Sequence, residues 1–358
     1  MSAARSVARR AAVAGLTAAL SPRPVADAVW GRDRLTVLAY HRIADVRDPA
    51  MEFDPGVVSA TPEMFERQMR WLARRFDVIA LDDLHEHLTT GRPLPARPAL
   101  ITFDDGYRDN HEAAFPVLRG LGLPAVIFLV TGAIGTDRVM WWDELASLLR
   151  RTERARAVLP LAGLRPLDGP GDREAARLEM LRLLKEVPDE RREVAMGELR
   201  EALDAPAPRP ATPLFMDWDA VAELVAGGVD CQPHTVDHPL LVRVDEERAR
   251  AEVARSAAEV AARTGRPARA FAYPNGDYDA TTLTALRDAG ITMAFTMRLG
   301  PCRADVARRA PLEIPRVPLE ARDTWDMFRL KVTGGVAAVF AAGRRVRGRL
   351  PAARGAAG

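Results

Sequence analysis

Two short stretches of the 358-residue chain carry side chains that could do chemistry together. The first is Thr102-Phe103-Asp104-Asp105-Gly106, where an apolar run stops at two adjacent carboxylates and a glycine permits a sharp turn. A helix-capping role explains one aspartate and leaves its neighbour unexplained. The second is His234-Thr235-Val236-Asp237-His238, which holds two imidazoles four residues apart. Pro233 and Pro239 flank it and disfavour a continuous helix, so the pair reads as a strand end and tight turn rather than the helical pair of a zinc protease. Two neutral imidazole nitrogens and one carboxylate make an open three-donor site that suits a catalytic divalent metal, zinc first. A carboxylate locked on a metal has little basicity left, so a second, unligated one is needed to take a proton from water.

The elements that must position these residues follow a rhythm of short apolar runs and helical periods, which predicts βα units and a parallel sheet. Strands are expected at 35–40, 99–103, 125–130, 229–232, 270–273, 293–296 and 312–317. Seven such runs suit an α/β fold built as a closed or nearly closed irregular barrel. Helices are expected between them: Thr61-Pro62-Glu63 opens one with an N-cap and a proline at the first position, another starts near Asp109, and others cover 217–227, 246–264 and 280–289. Asp104 and Asp105 then fall at the C-terminal end of a strand, the edge where parallel α/β folds bind ligands. Residues 141–203 break the rhythm, reading as charged helix without a strand, and end in the Pro-rich spacer 205–213. The chain is therefore divided into a basic lead-in at 1–34, a domain at 35–328 with a helical insertion and linker at 141–213, and a basic tail at 329–358. Spacing alone also fits a two-histidine, one-carboxylate iron oxygenase, but that chemistry expects a β-rich scaffold.

TFDDG at 102–106 together with HTVDH at 234–238 resembles the polysaccharide deacetylases, the carbohydrate esterases with a NodB-type domain. VLAYHR (37–42), FAYPNGDYD (271–279) and EIPRV (313–317) extend the likeness over about residues 35–318. The resemblance implies an irregular (β/α) barrel that removes N-acetyl groups from the amino sugars of a polysaccharide with a metal-activated water. It implies Asp104 as general base, Asp105, His234 and His238 as metal ligands, and the backbone N–H of Tyr273 as an oxyanion contact. Many members supply a general acid from a late Leu-x-His motif, yet no histidine follows His238 here. His41, ending the first strand, is the replacement candidate on the same rim; otherwise Asp104 itself returns the proton. Arg316 could orient Asp104 through a charge-assisted bond. Asp277 reads as a helix cap, Cys231 as a buried strand thiol, and His85, His87 and His111 as solvated helix positions. Gln232 and Pro233 stand where small residues are common in the family, and Trp141 and Trp142 either stack on a sugar or anchor a helix. Alternative activities on the same fold are an O-acetyl esterase, a non-sugar amide or imide hydrolase, or a non-catalytic carbohydrate binder.

Charge and cysteine content narrow the remaining classes. With 51 basic against 49 acidic residues, the chain lacks the footprint of a nucleic-acid binder. The balance conceals basic ends, +4 over residues 1–34 and +7 over 327–358, around an acidic body. Two cysteines, Cys231 and Cys302, are too few for a disulfide framework or a four-thiolate zinc module. No run approaches the roughly 20 apolar residues of a membrane span. The basic ends suggest peripheral contact with an anionic membrane, and a cytoplasmic or membrane-peripheral location is favoured over export. The export reading rests on Arg5, Arg9 and Arg10 ahead of an Ala-rich run and the Ala26-Asp27-Ala28 site.

Overall fold

The computed structural model describes residues 34–48, 51 and 53–336. The signal-like segment before Arg34 and the basic stretch from Arg344 lie outside the described residues. Seven parallel strands form the centre: β1 (Arg34–Tyr40), β2 (Pro98–Phe103), β3 (Ala125–Leu129), β4 (Val229–Pro233), β5 (Ala270–Ala272), β6 (Met293–Leu299) and β7 (Ile314–Pro318). Backbone ladders join them in the order β5-β6-β7-β1-β2-β3-β4, with Thr36 opposite Ala99 and Ala125 opposite Val229 as registers. The order around the ring is the order along the chain, so the sheet curls into a nearly closed barrel with one seam, between β4 and β5. Strands β1, β2 and β3 are buried at every position, which is why their sequences are continuous apolar runs rather than alternating ones. All seven expected strands are present.

Side chains close the seam. The Gln232 carbonyl oxygen accepts the backbone N–H groups of Arg269 and Ala270, both at 2.9 Å, and its amide nitrogen donates to Asp230 at 2.8 Å. One turn higher, His234 Nδ1 bonds the Ala272 carbonyl at 2.7 Å. The unexpected glutamine of β4 thus serves as a fastener between two strands that have no ladder of their own.

Helices cover the outside: α1 (Pro62–Arg75) and α2 (Leu81–Thr90) between β1 and β2, and α3 (Phe115–Leu121) between β2 and β3. After β3 come α4 (Trp141–Arg151), α5 (Pro170–Glu186), α6 (Asp189–Leu203) and α7 (Trp218–Ala226). Then follow α8 (Glu246–Thr264), α9 (Ala280–Asp288), α10 (Ala304–Arg309) and α11 (Trp325–Val332). The start of α1 is as its sequence demands: Thr61 Oγ1 accepts the Met64 N–H at 3.2 Å, and Phe65, Met69 and Leu72 face the core. Among the described residues no helix is long and apolar enough to cross a membrane.

The stretch expected to be helical throughout 141–203 contains a β-hairpin, Arg156–Leu159 against Gly163–Pro166. Its strands are four residues each, too short for alternation to stand out. Leu161 and Gly163 take left-handed φ of 63° and 79° at the turn. Ala157 and Leu159 point inward to join Leu148, Met180, Leu184, Leu199 and Leu203 in a small core of its own.

Replacing Gln232 with Leu leaves two backbone donors at the seam without acceptors. The expected loss is about 2–6 kcal/mol of unfolding free energy, at roughly 1–3 kcal/mol per orphaned group. Urea unfolding measures it, and an unchanged midpoint would mean that the seam is held by other contacts.

Candidate active site

The strand ends bring the chemical residues to one mouth of the barrel. Asp104 extends the ladder by donating its N–H to the Tyr40 carbonyl at 2.9 Å. The chain then turns through two left-handed residues, Asp105 at φ 74° and Gly106 at φ 83°. Aspartate tolerates that region, and at 106 a Cβ would come within 2.9 Å of the Leu129 side chain, so glycine is required. The turn sends the two carboxylates to different partners.

Asp104 meets Arg316, which reaches in from β7. Two parallel bonds of 2.7 Å join Nη1 to Oδ1 and Nη2 to Oδ2, and both side chains are buried. Arg316 also donates to Thr102 Oγ1 at 3.2 Å and to the Thr296 carbonyl at 3.3 Å, so the fork cannot swing. Burial works against ionisation of Asp104, but the guanidinium outweighs it and holds the carboxyl well below its usual range.

Asp105 faces the two imidazoles instead. Its Oδ1 lies 3.5 Å from His234 Nε2 and 3.4 Å from His238 Nε2. One donor atom from each of the three residues falls within 4.8 Å of the other two. Donors each bonded at about 2.1 Å to a shared tetrahedral ion would stand about 3.4 Å apart, so the spacing fits such an ion. Asp105 Oδ1 and His238 Nδ1 are buried without a hydrogen-bond partner, the mark of a site built for something besides protein. Burial lowers His234 to about 4 and His238 well below its ordinary value, leaving both rings neutral, the form that donates to a metal. The bond from His234 Nδ1 to Ala272 fixes that ring with Nε2 toward the trio. Burial and the nearby Asp104 charge push the Asp105 carboxyl up, so this oxygen also calls for a positive neighbour.

His41 lies on the same mouth, with Nε2 3.9 Å from Asp104 Oδ2. Its backbone is pinned on both sides: its N–H donates to Ser59 Oγ at 2.9 Å, and its carbonyl accepts from Asn110 Nδ2 at 2.7 Å. Asp109 completes the grip by accepting from Arg42 Nε and the Ile43 N–H, both at 2.8 Å. Asn110 opens a π-helical turn, Asn110–Ala114, a distortion common beside functional sites. Burial lowers His41, with Asp104 pulling the other way.

A chain of buried polar groups from the insertion backs His238. The Trp142 ring stands edge-on to the His238 ring at 4.7 Å between centroids. Its Nε1 donates to Tyr107 Oη at 2.9 Å, which donates in turn to Asp143 Oδ2 at 2.7 Å, while Asp143 Oδ1 accepts the Asp54 N–H at 2.9 Å. Trp141 and Trp142, the trio, Asp104 and His41 line a cavity of about 700 Å³, with Leu178, Leu181 and Lys185 of α5 along another wall.

Several sequence-based expectations need correction. The Tyr273 N–H donates to the Phe295 carbonyl at 3.2 Å within the sheet, and its hydroxyl bonds the Leu312 carbonyl at 2.8 Å, so it gives the site no oxyanion contact. Asp279, not Asp277, caps α9 by accepting the Thr282 N–H at 2.8 Å, whereas Asp277 holds the Asn275 amide. His87 is buried between the carbonyls of Arg92 and Ala304 rather than solvated. His111 reaches Glu223 at 2.9 Å. Cys231, as expected, is a buried free thiol inside the barrel wall. Sequence reasoning missed Tyr107, Asp109, Asn110 and Asp143 as supports; the first three lie within the four residues that follow TFDDG.

A parallel barrel with a carboxylate-bis-imidazole trio and a free carboxylate at the strand ends defines a class of hydrolytic (β/α) barrels. The chain matches the family model described as polysaccharide deacetylase over residues 91–161 and 169–294, more than half its length. It belongs to the polysaccharide deacetylase family. It is 32% identical over 116 residues to the poly-beta-1,6-N-acetyl-D-glucosamine N-deacetylase of Staphylococcus epidermidis, covering 30% of this chain and 39% of that protein. The enzyme of the same name from Escherichia coli strain K12 is 26% identical over 125 residues, covering 34% of this chain and 18% of that one. The matched part is thus well under half the length of these relatives. Among solved structures, the Streptococcus pyogenes deacetylase PplD in complex with acetate superposes with a TM-score of 0.56 at 15% identity, covering 84% of this chain and 98% of that one. IcaB from Ammonifex degensii gives 0.54 at 20% identity, covering 84% and 97%. At these identities the structural likeness is one of fold.

Asp143 yields a pH signature. Burial lifts its carboxyl to about 6 against the pull of Arg42, while the unfolded value is about 3.8. A raised carboxyl contributes stability that is full below the unfolded pKa and is lost as pH rises through the folded one. The stability of the wild type relative to Asp143→Asn should therefore fall between about pH 4 and pH 7, by at most roughly 3 kcal/mol at 1.36 kcal/mol per unit. Parallel urea titrations at the two pH values measure this, and a constant difference would refute the assignment.

Proposed function

We propose that this chain is a metal-dependent hydrolase that removes N-acetyl groups from the amino sugars of a polysaccharide. The observation that carries the reading is a buried, ionised carboxylate, Asp104, held beside the Asp105-His234-His238 trio without being part of it. Family membership and the named activity of the Staphylococcus and Escherichia relatives support the choice of substrate. Asp105, His234 and His238 would hold a divalent ion, zinc by the nature of two imidazoles and a carboxylate, which supplies a water of pKa near 7 and polarises the acetyl carbonyl.

The side chains of this protein divide the proton work. Asp104 is the base that takes a proton from the attacking water, and Arg316 keeps it ionised and aimed by occupying one edge of both oxygens. That same bond makes Asp104 a weak base, so it accepts the proton only from a strongly acidified water. An amine leaves an acetyl group only once protonated. His41, whose ring burial favours in the neutral form and whose Nε2 stands 3.9 Å from Asp104 Oδ2 at the cavity wall, would relay to that nitrogen the proton Asp104 takes from water. The fixed backbone of His41, held by Ser59 and Asn110, leaves only its ring free to turn between the carboxylate and the leaving nitrogen.

Acetate release from N-acetylated glucosamine oligosaccharides, with and without chelator, tests the activity; turnover that survives complete metal removal contradicts it. Asp104→Asn should keep its zinc affinity and lose about 10²–10⁴-fold in kcat, the usual range for a positioned base. A variant with full turnover would remove Asp104 from the mechanism. His41→Ala should lose a comparable factor on the amide yet little on p-nitrophenyl acetate, whose leaving group needs no proton. Equal losses on amide and ester would exclude His41 as the acid.

A further inference from the structure

We infer that Glu252 of α8 is a positioning residue for the metal-binding loop, acting through the backbone of Val236 and Asp237 rather than on substrate. The inference rests on the reading of Asp105, His234 and His238 as metal ligands.

The loop that carries both imidazoles is held in an unfavourable conformation. Thr235 has φ 69° and His238 φ 57°, left-handed values that β-branched threonine in particular avoids. Such a conformation persists only where its surroundings over-determine it. The loop after β3 supplies part of the hold, since the Thr131 N–H donates to the Thr235 carbonyl at 3.1 Å and the Gly132 N–H to the Val236 carbonyl at 2.9 Å. Gly132 has no room for more, because a Cβ there would stand 2.7 Å from the Val236 oxygen. Within the loop, Thr235 Oγ1 accepts the His238 N–H at 2.9 Å.

Arg138 pairs with the Asp237 carboxylate at the loop's outer side, and the buried charge that grips its backbone is Glu252. A single oxygen, Oε2, accepts the N–H of Val236 at 2.8 Å and that of Asp237 at 2.9 Å, and the residue is 5% exposed. These two residues lie between the ligands His234 and His238, so the carboxylate grips the centre of the loop. Its other oxygen lies 4.0 Å from Arg248 Nε, and Arg248 pairs with Asp189 of α6 at 2.7 Å. A buried carboxylate is costly to bury, and here its position is set from both sides: a cation at one oxygen and two backbone dipoles at the other. Without it, both N–H groups lose their acceptor and two left-handed residues lose their brace, so the imidazole nitrogens no longer share one point.

Zinc affinity, measured by competition with a chromophoric chelator on the full chain, is read without any substrate, so the inference and the deacetylase reading can fail separately. Glu252→Ala is expected to bind zinc about 10–100-fold more weakly, the range for losing a group that orients a metal ligand. Glu252→Gln keeps an oxygen able to accept both N–H groups and is expected to bind within about threefold of wild type. On substrate, the Ala variant should regain its kcat in excess zinc with KM unchanged, as a purely structural loss would not. If Glu252→Ala gives no cooperative thermal transition, Glu252→Asp takes its place, because the shorter chain withdraws the oxygen from the loop and predicts a loss of about tenfold. A folded Ala or Asp variant with wild-type zinc affinity overturns the inference, as does a Gln variant as weak as the Ala variant. A wild-type protein that binds no zinc overturns both the inference and the trio beneath it.

Discussion

Two neighbouring carboxylates cannot both be buried and ionised unless each has its own positive partner. Asp104 has one in Arg316, fixed by two bonds of 2.7 Å. Asp105 has imidazoles that burial keeps neutral, and the charge on Asp104 raises its carboxyl further. The same Asp-Asp pair is therefore split into a satisfied anion and one that still calls for a cation. That asymmetry is what the proposed division of roles rests on: the anion paired with arginine would serve as base, and the anion with unfilled demand would serve as ligand. The left-handed turn at Asp105 and Gly106 enforces it by aiming the two side chains apart.

A barrel whose strands follow chain order around the ring suits this division, because its mouth gathers strand ends that are distant in sequence. Arg316 from β7 and Asp104 from β2 flank β1, which carries His41, while His234 ends β4 on the other side. The open seam between β4 and β5 is the weak point of such a ring. It is also where His234 sits, so one bond, Nδ1 to the Ala272 carbonyl, both helps to close the barrel and aims Nε2 toward Asp105. Fold stability and ligand geometry share a contact there. Gln232 relieves it by carrying the adjacent backbone donors of β5.

The barrel was legible in the sequence because strands buried on both faces must be continuously apolar, and runs such as ALITF and AVIFLV have no other easy reading. The trio and the free carboxylate were legible too, since chemistry dictated their residue types and family likeness divided their roles. Residues that act through backbone groups were not. Tyr273 sits in a stretch that matches the family, yet whether its N–H points at a ligand or along a ladder depends on pairing with Phe295, a register that no local pattern records. Asp109 and Asn110 look like any polar helix start until β1 lies beside them. The hairpin at 156–166 was hidden because four-residue strands carry too little alternation to compete with the helical stretches around them.

The insertion is a structural part of the site rather than an appendage, and its place in the chain explains why. It follows the β3 loop, which bonds the imidazole-bearing loop through Thr131 and Gly132, so its first helix begins against His238 and puts Trp142 on that ring. Helix α5 is then tied across the mouth at two points, Arg177 to Asp54 at 2.5 Å and Lys185 to the Asn275 side chain at 2.7 Å. Between these ties lie Leu178 and Leu181, which give the cavity an apolar wall facing a polar floor. Such a pairing suits a sugar, whose ring face is apolar and whose acetamido group must reach the polar end. Trp142 belongs to the core of the barrel and Met180 and Leu184 of α5 to the small core of the insertion, with Leu181 packed against both, so the apolar wall and the ring beside His238 are bridged by one side chain.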